Sequence, residues 1–401
     1  MIVSEKDKNS SIRSIRDIPI TSQRIFMRMD FNVPLGKADP ETGERSIEDD
    51  NRIVEAIPTI KYAIEKGAKI VLASHLGRPD GKKNPEFSME PIAKRLAALL
   101  GVEVTQADDC VGDGIELRTK SLKGGEVLLL ENLRFYSGEE SNNPDFCKKL
   151  ARLGDIYITD AFGTAHRKHA STYGVPSIMV NRGMGFLIEK ELKFLDPLLH
   201  SPKKPFYAVL GGAKVTDKIK AVQMLLLKVN GLLIGGAMAH AFGAATGEPI
   251  PPGAKKPKPE DVEAARGVIR EAKTREVKLW TPLDTNEGFD IGPKTIVKFC
   301  EILNGAKTVF WNGPLGWFEK SEYSTGTFEV ARFLSELDAV KVVGGGDTVS
   351  AIKQSGVAEK FDHLSTGGGA VLEYLEGNSL PGIDILRMTR QQTQANQALD
   401  P

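Results

Sequence analysis

The chain has 401 residues, 41% of them hydrophobic and 26% charged, which is too long for a disulfide-stapled miniprotein and fits two or three ordinary globular domains. Lys plus Arg and Asp plus Glu both number 53, so no bulk field draws the chain to nucleic acid or an anionic membrane, and any basic site must be a local cluster. The three cysteines, Cys110, Cys147 and Cys300, stand far apart without CxxC spacing, which excludes a disulfide framework and a thiolate zinc site.

Taken in chain order, the segment MIVSEKDKNSS carries charge where a signal peptide needs an apolar stretch, and no apolar run approaches about 18 residues. The expectation is a cytoplasmic chain with no membrane or nucleic-acid partner. Short apolar runs then alternate with helix-like stretches. Residues 25–29 lead into Asp30-Phe31-Asn32-Val33-Pro34, and 69–73 into Ser74-His75-Leu76-Gly77-Arg78-Pro79. Residues 127–130 lead into Glu131-Asn132-Leu133-Arg134, and 156–158 into Thr159-Asp160-Ala161-Phe162-Gly163 and His166-Arg167-Lys168-His169. Apolar residues in 92–100 recur at three- and four-residue intervals, a helical period. Residues 184–199 read as an amphipathic helix with Pro197 and Pro202 punctuating its exit. Beyond it the loops change chemistry: 206–210 leads into Gly211-Gly212-Ala213-Lys214, 232–234 into Gly235-Gly236-Ala237, and 277–280 into Thr281-Pro282-Leu283-Asp284. Residues 308–311 lead into Asn312-Gly313-Pro314, 340–343 into Gly344-Gly345-Gly346-Asp347-Thr348, and the stretch at His363 into Ser365-Thr366-Gly367-Gly368-Gly369.

Alternating strand and helix predicts α/β architecture with parallel sheets covered on both faces. Of the 40 glycines, 16 fall in residues 1–200. The first half has arginine and histidine at its strand exits and the second has glycine, which predicts two α/β domains with two different ligands. The expected boundaries are 1–183, a connecting helix 184–199 and 200–381.

In open parallel sheets ligands bind beyond the carboxyl ends of the strands. Arg78, Arg134, Arg167, His75, His166 and His169 should therefore converge, with Arg52 joining from the Asp49-Asp50-Asn51-Arg52 turn. Guanidinium forks match phosphate and carboxylate through paired charge-assisted bonds, so the predicted ligand is small and carries more than one negative charge. His166 and His169 would share a face if helical, yet Arg167 and Lys168 beside them oppose a metal ion, and anion binding is the better reading. In the second half, strand–Gly-Gly–helix exits expose backbone N–H groups to phosphates. Neither GxxxxGK[ST] nor GxGxxG occurs. Lys214 and Lys218, four apart, read as opening a helix where both reach a phosphate. Asp347, after three glycines, suits either Mg²⁺ or a helix N-cap. No GxSxG, HExxH or catalytic-cysteine signature is present. A reaction whose nucleophile is already ionised needs no general base, and phosphoryl transfer to a carboxylate fits.

Arg28-Met29-Asp30-Phe31-Asn32-Val33-Pro34, Ser74–Pro79, Leu130–Phe135, Asp160–Arg167, Gly211–Ile219, Trp311–Pro314, Gly344–Thr348 and Ser365–Gly369 together resemble the motifs of the phosphoglycerate kinase family, in the family's order. The resemblance implies two Rossmann-like lobes, each a parallel sheet with helices on both faces, joined by an interdomain helix about which they close, with a tail at 382–401 packing on the first lobe. It implies phosphoryl exchange between 1,3-bisphosphoglycerate and ADP, giving 3-phosphoglycerate and MgATP, in a monomer. It places Asp30, Asn32, Arg52, His75, Arg78, Arg134, His166 and Arg167 on 3-phosphoglycerate, and Arg52, Lys214, Gly345 and Gly346 at the transferring group. Nucleotide would meet Gly212, Lys214, Lys218, Gly235, Gly236, Gly288, Asn312, Glu319, Gly345, Gly346, Asp347 and Thr348, with Asp347 holding Mg²⁺. Ala237 stands where the family often has glycine, which predicts a pocket one methyl tighter. Another carboxylate kinase and a non-catalytic organic-phosphate binder are the alternatives.

Overall fold

A computed structural model describes residues 12–41 and 45–387. The contacts divide the chain into two units, residues up to 190 with 379 onward, and residues 191–378.

In the first unit the strands are β1 (Arg24–Arg28), β2 (Leu35–Ala38), β3 (Arg45–Ile47), β4 (Lys69–Ala73), β5 (Val104–Gln106), β6 (Val127–Leu129), β7 (Ile156–Thr159) and β8 (Arg182–Met184). The helices are α1 (Asn51–Glu65), α2 (Glu90–Leu100), α3 (Asp113–Ser121), α4 (Ser137–Glu140), α5 (Pro144–Ala151), α6 (Val175–Ile178) and α7 (Phe186–His200), which from Glu191 on belongs to the other unit. Six strands form a parallel sheet in the order β5-β6-β4-β1-β7-β8, while β2 and β3 make a separate antiparallel pair. The runs are apolar at successive positions because both sheet faces are covered. Ile25, Met27, Ile70, Leu72 and Ile158 pack with Ile53, Ile60 and Leu96. Their neighbours Phe26, Val71, Leu128 and Tyr157 pack oppositely with Leu150 and Val175, as the two-residue pleat requires.

The second unit contains β9 (Phe206–Leu210), α8 (Ile219–Leu226), β10 (Gly231–Ile234), α9 (Ala239–Thr246), α10 (Pro259–Thr274), β11 (Lys278–Trp280), β12 (Thr285–Asn286), β13 (Asp290–Ile291), α11 (Pro293–Leu303), β14 (Thr308–Asn312), α12 (Thr325–Ser335), β15 (Val340–Gly344), α13 (Gly346–Gln354), β16 (His363–Leu364) and α14 (Gly369–Leu375). Its sheet, β11-β10-β9-β14-β15-β16, is again parallel. Val209, Leu233, Val309, Trp311 and Val343 pack on one face with Phe299, Leu303, Val330, Leu334 and Ile352.

The chain then returns as α15 (Pro381–Arg387) to the first unit. There Gly382 N–H donates to the Ala165 carbonyl (2.9 Å) and Ile385 and Leu386 join the second core layer. The rest of the expected tail, 388–401, lies outside the described residues.

The helix expected over 184–199 is α7, Phe186–His200, with Pro197 inside its closing turns. Buried Leu195 and Leu198 anchor those turns, and packing of an apolar face outweighs the rung a proline forfeits. Two other expectations need correction. Lys214 is not on a helix: α8 begins only at Ile219, with Lys218 the residue just before it. His166 and His169 are not on a common helix either, because they lie between a 3₁₀ turn ending at Thr164 and the turn starting at Ala170. No helix among the described residues is long and apolar enough to cross a membrane.

Candidate functional site

In each sheet the first strand is flanked by strands entered from opposite directions, and that reversal opens a crevice at the carboxyl edge. In the first unit it falls at β1, between β4 and β7, and the arginines gather there. Asp30, just past β1, is buried and accepts from Arg52 Nη1 at 2.9 Å, Arg52 standing in the first turn of α1. Asn32 Oδ1 takes the Gly77 N–H at 2.9 Å, and Arg134 Nη1 donates to the Gly77 carbonyl at 2.7 Å. Asn132 ties these loops together by accepting from Leu76 N–H and Arg134 N–H and donating to the Leu76 and Phe87 carbonyls.

Buried Arg134 pairs through Nη2 with Glu140 at 2.9 Å, and its Nε is buried without a hydrogen-bond partner among the described residues. A donor in that position leaves a place for a ligand oxygen. Arg167 Nε reaches His166 Nε2 at 3.2 Å, and Arg78 is exposed beside Gly77. Burial holds the His75 pKa well below its usual value, and the charges of Arg28, Arg134, Arg167 and Arg52 add to the effect. His169 is pushed down to about 4 by burial and then by Arg134, Arg167 and Arg28. The imidazoles are thus neutral within a field of guanidiniums, which an anion with more than one charge would relieve.

In the second unit the reversal lies between β9 and β14, where Lys218 bridges the two strand exits. Its Nζ donates to the Gly211 carbonyl (2.7 Å) and the Asn312 carbonyl (3.0 Å). Burial lowers its pKa to about 8, against the pull of Asp347 and Asp217. The loops approach closely: a Cβ on Gly236 would lie 2.6 Å from the Gly212 nitrogen, so only glycine fits. Gly345, at φ +89°, turns the chain into α13, whose first N–H groups, starting at Gly346, have no partner within the helix. Thr348 Oγ1 accepts from Gly313 N–H at 2.7 Å, and Asp347 is exposed in the first turn of α13 rather than capping it, the cap being Gly345.

Lys214 is exposed and 3.8 Å from Asp217. Gly235 donates to the Leu210 carbonyl. Gly288 lines a narrow cleft with Gly236, His240, Pro282, Phe289 and Leu315, its carbonyl 2.9 Å from His240 Nε2. Ala237 is exposed and is not among the residues lining that cleft. Glu319 is exposed two residues beyond Trp317, whose N–H meets the Phe289 carbonyl.

Sequence reasoning missed Arg28, Asp261, His240 and Phe289 as site residues. Arg28 had a signal, a full charge closing an apolar strand. Asp261, in the first turn of α10, had none; its Oδ1 accepts from Val215 N–H, Thr216 N–H and Thr216 Oγ1, all at 3.0 Å.

Two parallel sheets, one with arginines and the other with glycine turns and a half-buried lysine at its reversal point, define a two-unit α/β phosphate-handling protein. The family model for phosphoglycerate kinase matches residues 15–287 and 284–378. The chain is 45% identical over 398 residues to the phosphoglycerate kinase of Anaeromyxobacter dehalogenans, covering 93% of this chain and 98% of that one. The solved phosphoglycerate kinase from Coxiella burnetii is 36% identical with a TM-score of 0.83, over 94% of this chain and 99% of its own. The one from Pyrococcus horikoshii is 31% identical with a TM-score of 0.80, over 95% and 99%. The chain belongs to the phosphoglycerate kinase family, and it is a phosphotransferase with a carboxyl group as acceptor.

Proposed function

We propose that the chain exchanges a phosphoryl group between 1,3-bisphosphoglycerate and ADP, giving 3-phosphoglycerate and ATP, with the first unit taking the glycerate and the second the nucleotide. The observation that carries this reading is the neutral His75 ring facing the charges of four arginines, an environment suited to a ligand with both a phosphate and a carboxylate. Asp30, Asn32, His75, Arg78, Arg134, His166 and Arg167 bind and orient 3-phosphoglycerate, whose carboxylate is already ionised at neutral pH and needs no base. Arg52 and Lys214 stabilise charge on the transferring group together with the Gly345 and Gly346 backbone. Gly212, Lys218, Asn312 and Thr348 hold nucleotide phosphates, Gly235, Gly236 and Gly288 line the base, and Glu319 takes the ribose.

Asp347 fits a Mg²⁺ role: its carboxylate is exposed in the first turn of α13, whose N–H groups have no partner within the helix, and Mg²⁺ is commonly held by one or two carboxylates plus phosphates and water. When bound, the ion would neutralise nucleotide phosphate charge.

A coupled assay tests the reading: turnover of ATP with 3-phosphoglycerate, none with acetate or aspartate. Turnover with another carboxylate alone would instead identify a different carboxylate kinase, and ligand binding without turnover a non-catalytic protein. In the same assay Arg52→Ala lowers kcat about 10³-fold, as loss of a charge-stabilising arginine does. Arg52→Lys recovers little, because the planar fork is lost; near-native turnover in Arg52→Ala would remove it from the chemistry.

A further inference from the structure

Beneath the first-unit arginines runs a chain of buried polar groups drawn from four segments. Arg28, the last residue of β1, is 1% exposed, and His75, beyond β4, is 2% exposed; Ser171 and Glu139 are fully buried. Arg28 Nη2 lies 3.2 Å from His75 Nδ1. Its Nε donates to Ser171 Oγ at 3.0 Å and its Nη1 to the Met29 carbonyl. Ser171 Oγ lies 2.6 Å from Glu139 Oε1, and Ser171 N–H is 3.0 Å from Glu139 Oε2. Tyr157 Oη holds the Ser171 carbonyl at 2.9 Å.

The proton on every bond follows from the chemistry of the participants. A guanidinium only donates, so His75 Nδ1 must offer its lone pair to Arg28. Burial raises the Glu139 pKa, while Arg28 and the two Ser171 bonds favour its charged form; with Glu139 as carboxylate, the one Ser171 hydroxyl proton goes to it and the oxygen lone pairs receive Arg28 Nε. Both Glu139 oxygens accept from Ser171, and the acidic end thereby orients the serine, the serine the guanidinium and the guanidinium the imidazole.

We infer that Glu139 and Ser171 are positioning residues that, through Arg28, hold His75 as the Nε2–H tautomer, so that the ring presents a neutral hydrogen-bond donor to an oxygen of the bound anion. That the anion is 3-phosphoglycerate rests on the function proposed above; the tautomer does not. Arg28, Arg52, Arg134 and Arg167 all bear on the ring, and with burial they hold it uncharged. A fixed neutral donor adds directionality where four guanidiniums already supply charge. Without the Glu139 carboxylate Ser171 would lose the acceptor that orients its hydroxyl, and the Arg28 guanidinium the serine lone pair that fixes its Nε and so its placement against His75.

The test is long-range ¹H–¹⁵N NMR on the full-length, ligand-free protein with ¹⁵N-labelled histidine, the His75 signals assigned by their loss in His75→Gln. The expected spectrum shows an unprotonated Nδ1 and a protonated Nε2 throughout the neutral pH range. Glu139→Gln should mix the tautomers and raise KM for 3-phosphoglycerate about tenfold, the effect of weakening one charge-assisted bond, with KM for MgATP unchanged. Ser171→Ala should act in the same direction. A proton on Nδ1, or a charged ring, in the wild-type protein overturns the inference whether or not the variants fold. So does a rise in KM with the wild-type tautomer retained, which assigns Glu139 to packing alone. The spectrum needs no turnover, so a failed kinase assay would count against the proposed function and leave the tautomer result standing.

Discussion

At Lys218 one ammonium is held by two backbone carbonyls, not by a carboxylate, and this makes it responsive to a phosphate. Burial brings its pKa to about 8, and a bound phosphate raises it again by stabilising the charged form. The free protein therefore loses this proton at a lower pH than the complex does. MgADP affinity should be greatest below about pH 8 and weaken as pH rises beyond it. Calorimetry from pH 7 to 9 checks this, with Lys218→Arg expected to flatten the dependence because arginine stays charged; an equal slope in both proteins would rule Lys218 out. Lys218 was legible in the sequence from its place after a double glycine. The carbonyls that hold it were not, since Asn312 stands 94 residues away along the chain.

Whole elements are positioned by single carboxylates at their ends. Asp261 receives Val215 N–H, Thr216 N–H and Thr216 Oγ1, so the first turn of α10 fastens the Gly211–Lys218 loop. Burial opposes its charge, yet the Thr216 and Val215 bonds hold its pKa below the usual carboxylate value. Asp261→Ala strands two backbone donors at a cost of about 1–3 kcal/mol. Hydrogen exchange should then quicken in residues 211–218 and KM for MgATP should rise while KM for 3-phosphoglycerate holds; unchanged exchange would show that the loop stands without it. At the start of α7 a second device operates. Thr59 Oγ1 accepts from Phe186 N–H (2.9 Å) and donates to Asp160 (2.5 Å), which also takes Ile188 N–H (3.0 Å). The amphipathic period revealed α7, but not what holds its start, because Thr59 comes from the middle of α1 and Asp160 from the exit of β7.

For the stability of the whole fold, a half-buried histidine and a buried carboxyl of opposite tendency contribute to the acid response. His169 takes a proton in the fold only near pH 4, whereas an unfolded histidine does so near 6.5. The unfolded state binds more protons in between, so this group's contribution to stability is lost as pH falls through that window. Asp160 works the other way: burial raises its pKa to about 7, against about 3.9 unfolded. The fold holds the extra proton there, so its contribution declines as pH rises from about 4 to 7. Denaturant unfolding of variants, taken as differences from wild type, separates the two. Relative to Asp160→Asn the wild-type protein should gain stability on acidification from pH 7, and relative to His169→Gln it should lose it. The same sign for both differences would contradict the burial assigned to one of them.

Local chemistry determined much of this protein. Apolar runs ending in arginine or glycine loops announced parallel strands with anion-binding exits, because hydrophobic period and turn residues act over a few positions. Tertiary structure alone decided which of those groups are neutral, paired or stranded. Arg28, an unremarked charge within a motif, became the partner of His75 only once β1 and β4 lay side by side and a serine and a glutamate closed behind it. Proton positions and pKa values depend on burial and on neighbours remote in the chain, and those exist only after the sheets have assembled.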